Sequence, residues 1–150
     1  MTKVDFIDLL YDKYAKDAEK SIHLLPENIQ YIMCVLLVHY PICNGGFRHL
    51  FECNLVGNVD YNLVVKSFEK VGLSHIAQSF KKVLSLFPNN VPPENMEERE
   101  EYLMKFFQDQ DEDDNFIETY SPIVEEAEQL YFNEAEQTIK TLKQFYENHT

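Results

Sequence analysis

The residue types best suited to chemistry gather in the middle of this chain: Cys34, His39, Cys43, His49 and Cys53. All are metal-ligand types. Zinc sites, however, are built on short CxxC or HxxxH pairs, and the gaps here fit no usual zinc pattern. A Cys–His nucleophile would need a third group to orient the imidazole, and the sequence supplies none. Cys34 sits in the most apolar stretch, where a thiol behaves as a small hydrophobe. Asp109, Asp111 and Asp113 open like a calcium loop, but Asp114 stands where that loop needs glycine and Tyr120 where it needs glutamate. In Asn44–Gly45–Gly46–Phe47, two glycines ahead of a helix could offer backbone N–H groups to an anion. The Lys and the spacing of a phosphate loop are missing. A turn that lets two helices pack closely, with Asn44 capping the second, is the expected structure. The sequence therefore predicts no catalytic residue, no metal site and no cofactor.

What remains is carboxylate chemistry. The first ninety residues carry nine acidic and nine basic side chains, whereas the last sixty carry 17 acidic and 4 basic, which is the whole net charge of −13. Glu94, Glu97, Glu98 and Glu101 recur at three and four residues, a spacing that sets side chains about 5–6 Å apart on one helix face. Asp109, Asp111, Glu112, Asp113, Asp114, Glu118, Glu125, Glu126 and Glu128 extend the series. Like charges so spaced each cost a helix a few tenths of a kcal/mol, roughly, unless Lys or Arg follows four residues on. Between Lys105 and Lys140 there is no such residue. Carboxylates exposed on helix faces titrate normally and make poor general acids. Two readings stand: a solvated face that keeps an acidic protein dissolved, and a surface that presents charge at the density of a duplex, about one per 1.7 Å of axis.

The elements that must carry these groups read as helical almost throughout. Ile7, Leu10 and Tyr14 mark a first amphipathic helix. Pro26 opens a second, through Ile29, Met33, Leu36, Leu37 and Tyr40, apolar nearly all round and so central. Pro41 with Gly45–Gly46 is expected to end it. A short helix spans Phe47–Cys53. Leu63, Val64, Phe68 and Val71 form another, stopped by Gly72, and Ile76, Phe80, Leu84 and Phe87 the next, stopped by Pro88. Glu94–Gln108 turns Leu103, Phe106 and Phe107 inward. Asp109–Asn115 is a charge run of low hydrophobicity. Ser121 and Pro122 start a tail, one helix or two, with Asn133 hinting at a break. With 11 Phe, 9 Tyr and 4 Gly among 150 residues, the expectation is an all-α fold, a single compact multi-helix domain over 1–150, with a charge-neutral half (1–90) and an acidic half (91–150). Three cysteines with no CxxC, and no apolar run long enough to span a bilayer, suggest reduced thiols, a cytoplasmic home and no membrane.

The stretch Asn44–Gly45–Gly46–Phe47, then Phe51, Asn54 and Gly57, resembles the signature of the DNA-mimic-protein-like family, small bacterial helical domains. His49 and Cys53–Asn54 depart from its usual Gln and Asn–Ser. The resemblance spans roughly residues 29–131 and implies an acidic, often dimeric, all-helical protein. Such a protein imitates duplex DNA, covers the DNA-reading face of a helix-turn-helix regulator and does not itself bind nucleic acid. On this expectation Asn44, Gly45, Gly46, Phe47, Phe51, Asn54 and Gly57 specify the fold, and the carboxylates stand in for phosphates.

Three functions follow from these residues. The first is a non-catalytic interaction protein whose acidic half competes with nucleic acid for a basic DNA-binding partner. The second is an immunity protein that masks a cationic toxin with the same surface. The third is a small enzyme using the Asn44–Phe51 region with His39 or His49, which would show as a concave pocket there.

Overall fold

The computed structural model describes residues 2–149. Seven α-helices form it: α1 (Lys3–Lys20), α2 (Glu27–Glu52), α3 (Tyr61–Lys70), α4 (Ser74–Leu84), α5 (Met96–Phe106), α6 (Pro122–Asn133) and α7 (Ala135–His149). Among the described residues there is no strand, only an isolated bridge between Gln110 and Phe116. The fold is all-α, as the periodicity requires. Helix α2 is the axis. It buries residues on every side, from Ile29 to Phe51, and packs against α3, α5, α6 and α7. Phe47, Phe51, Phe68, Phe80, Phe87, Phe107 and Tyr131 interlock around it with ring centroids 5.1–6.5 Å apart. Each fully buried side chain of this size contributes about 1.5–3 kcal/mol by leaving water.

Several boundaries differ from the sequence expectation. Pro26 is the extended N-cap of α2 rather than its first helical residue. The helix runs through Pro41, which removes the N–H that would have bonded to Leu37 and crowds that carbonyl. The break falls at the glycines: Gly45 (φ −160°, ψ 18°) and Gly46 (φ 73°, ψ −168°) leave the helical region, and the chain resumes as helix to Glu52. Gly46 needs a conformation essentially closed to other residues. Glu94 lies outside α5, ahead of the N-cap Asn95, so it does not share a helix face with Glu97, Glu98 and Glu101. The acid run, despite its composition, is ordered by Asp111. The tail is two helices, split at Glu134.

The Asn44–Gly57 segment has specific work in this packing. Asn54 accepts a hydrogen bond from the buried guanidinium of Arg99 on α5, at 2.8 Å. Gly57 accepts the Ile22 N–H at 2.7 Å, and its Cα lies so close to α1 that a Cβ would stand 2.1 Å from the Ala18 carbonyl. The cap on the second part of α2 does not come from Asn44. Glu128 of α6 accepts the Phe47 N–H at 3.0 Å.

Candidate functional site

Residues 107–121 decide how the acidic half is displayed. The Asp111 carboxylate accepts the N–H groups of Asp113 and Asn115, both at 2.9 Å, an arrangement that folds a short polar segment on itself. Asp111 donates its own N–H to the Asn115 carbonyl at 2.9 Å, and Ile117 to that of Asp109 at 2.8 Å. The Ser121 N–H reaches the Phe106 carbonyl at 3.1 Å and returns the chain to the end of α5. Hydrogen bonds from the Asn115 backbone, more than any other contact, hold the Asp111 carboxyl below the usual range. This compact hairpin lies beside α5.

On α5, Arg99, Leu103 and Phe107 form the buried stripe. Helical periodicity then turns Glu97, Glu98 and Glu101 outward and puts Glu100 and Met104 on one flank. Glu100, Met104, Gln108, Asp111, Glu112, Asp113, Ile117 and Arg48 line a groove of about 490 Å³ between α5 and the hairpin. Arg48 ties its floor to the acidic wall, donating to Glu100 at 2.7 Å and Glu52 at 2.9 Å. A second group surrounds Tyr120. Its hydroxyl is pushed up to about 12, chiefly by burial and then by the carboxylates of Glu128, Glu125 and Asp109.

The thirteen carboxylates expected to act together are thus divided. All but Glu128 are exposed. Among the described residues none of the thirteen forms an ion pair; the pairs use Glu52, Glu69, Glu100, Glu134 and Glu147. Asp111, Glu112 and Asp113 share the groove, while Asp109, Glu125 and Glu128 share the Tyr120 cluster. Glu97, Glu98 and Glu101 form the outer row of α5, with Glu94 just before it. Glu126 turns away, toward His75 and Lys82 in a separate groove between α4 and α6. Glu128 is half-buried on the Phe47 N–H, and burial, foremost, raises its carboxyl above the usual range.

The central Cys and His residues are arranged differently. His39 is buried, with Nδ1 2.8 Å from the Tyr131 hydroxyl and Nε2 3.7 Å from Cys43 Sγ. An orienting group for this pair therefore exists, and it comes from α6. Burial raises the Cys43 thiol, the wrong direction for a nucleophile. A shallow concavity does adjoin Gly45, lined by Arg48, Phe107, Gln108, Asp109, Tyr120 and Glu128; His39, Cys43 and His49 are not in its lining. Among the described residues, no group of three or more His, Cys, Asp or Glu is placed to hold a metal, and no helix is long and apolar enough to cross a membrane.

Sequence reasoning missed Glu100, Arg48 and Met104. Met104 carried a signal: it is an apolar residue off the Leu103–Phe107 stripe. Arg48 signalled only its partner four residues on, Glu52; nothing pointed to Glu100, fifty-two residues away. The four-residue spacing of His39 and Cys43 on one helix also signalled their contact.

A family model described as DMP19-like protein matches residues 23–149. No curated protein and no solved structure matches the chain.

Proposed function

The chain belongs to the DMP19-like protein family, and on that footing we propose that it is a non-catalytic DNA mimic. In this reading the carboxylates of α5 and the 109–118 hairpin occupy the phosphate-binding face of a basic, DNA-reading protein, such as a helix-turn-helix regulator, and keep it off its operator. The observation that carries the proposal is the groove between α5 and the hairpin. Its hairpin side carries the exposed carboxylates of Asp111, Glu112 and Asp113, none of them in an ion pair among the described residues. On the α5 side Glu100 is held by Arg48, and Glu97, Glu98 and Glu101 stand unpaired among the described residues on the outer face of that helix. A native surface normally interleaves lysines with such rows, because like charges repel. Leaving them unpaired costs a little stability and keeps a strong field for a cationic partner.

Complementary potential of this kind speeds encounter and is screened by salt. The partner should therefore be retained by the immobilised protein at low ionic strength and released as salt rises. It should also be released at constant salt by duplex DNA, which competes for the same face. A retained partner that ignores duplex DNA would refute mimicry and point instead to masking of a cationic protein by another surface.

A further inference from the structure

Carboxylates alone would make this protein bind any phosphate-binding face, since phosphate contacts position a protein on DNA and base-edge contacts specify the sequence. The same groove holds apolar groups that charge does not explain. Met104 is 55 % exposed, one helical turn from Glu100 on the same flank of α5. Ile117, half-buried on the hairpin, and Gln108 share the lining with it. The next residue along the hairpin, Phe116, is 70 % exposed. A solvated acidic helix has no need of an exposed methionine there, and each such side chain in water forgoes about 25 cal/mol for every Å² it could bury.

Resting on the mimicry proposed above, we infer that Met104 and Ile117 are the specificity-determining residues of this surface, standing where base edges lie beside a phosphate row. The occupant this fits is an amphipathic basic helix that presents an aliphatic side chain between Lys and Arg residues. In a DNA complex that aliphatic group contacts thymine methyls. Here it packs on Met104 and Ile117 while the cations meet Asp111, Glu112 and Asp113 on the hairpin wall. Buried apolar anchors inside a charged rim carry most of the discrimination in interfaces generally.

Two labelled helical peptides of equal length and charge test this by fluorescence anisotropy. One carries Lys and Arg with Leu on a single face; in the other each Leu is Gln, which has nearly the same helix propensity. The Leu peptide should bind at least tenfold more tightly. Met104→Gln, an exposed change that leaves the core intact, should bring the two peptides to parity, and Glu112→Lys with Asp113→Lys should weaken both. Equal binding of the two peptides to the native protein, or a Leu preference that survives Met104→Gln, overturns this inference and leaves the charge-based mimicry standing. Binding of both peptides that ignores the charge reversals overturns the mimicry and this inference with it.

Discussion

The Glu128 carboxylate accepts the Phe47 N–H at 3.0 Å, across the break that Gly45 and Gly46 put in α2. One turn further along α6, the Tyr131 hydroxyl meets His39 on the other side of that break. Helix α6 thus braces both segments of the central helix. An anion does sit at the new helix N-terminus, where a nest of N–H groups and the helix dipole favour one, and it is the protein's own.

Burial raises the Glu128 carboxyl, so the folded state takes up a proton that the unfolded chain has already lost. Between the unfolded value and the higher folded one, stability falls as pH rises. Glu128→Gln keeps an oxygen for Phe47 and removes that titration. In urea unfolding it should be at least as stable as the native protein at pH 7, with the difference closing below the carboxylate range. Glu128→Ala loses the cap and should cost about 0.5–2 kcal/mol. A Gln variant as weak as the Ala variant at neutral pH would show that the ionised carboxylate is essential.

Gly46→Ala should destabilise by roughly 1–3 kcal/mol, the cost of forcing a side chain into that backbone region. Its Cβ would also stand 2.4 Å from Glu128 Oε1, so the cap must move. The loss should shrink in a Glu128→Ala background, a coupling that a double-mutant cycle of unfolding midpoints reads directly. Strict additivity would mean that the two residues do not interact.

Asp111 has the opposite sign. Its carboxyl is held low by the Asn115 and Asp113 N–H groups. The order it gives the hairpin is present above the unfolded carboxyl value and lost as pH falls through the lower folded one. The protection factors of the Asp113 and Asn115 amides, exchange rates taken relative to the intrinsic rate at each pH, should fall on acidification and in Asp111→Ala, and hold in Asp111→Asn, which keeps an acceptor. Exchange at those amides that is already fast at pH 7 would contradict an ordered hairpin.

The helices were legible because apolar side chains recur at helical spacing. So was the helix break at Gly45–Gly46, since two adjacent glycines suit a turn. The cap on Phe47 was not legible, because its acceptor lies eighty-one residues away and glutamates are abundant. The same abundance hid which acids act together: Glu126 and Glu128 sit two residues apart yet serve different surroundings, one facing α4 and the other the α2 break. The groove was invisible for a related reason. Its two walls meet only when Ser121 bonds back to Phe106 and folds the acid run beside α5.

The central claim concerns the unpaired charge of α5 and the adjoining hairpin, and charge reversal addresses it most directly. Glu97→Lys, Glu101→Lys, Glu112→Lys and Asp113→Lys change exposed groups that no described residue pairs with, so circular dichroism and the unfolding midpoint should stay close to native. Retention of a duplex-binding basic protein from cytosol should be strong for the native chain at low salt and abolished for the fourfold variant. Equal retention by a folded fourfold variant would contradict the account.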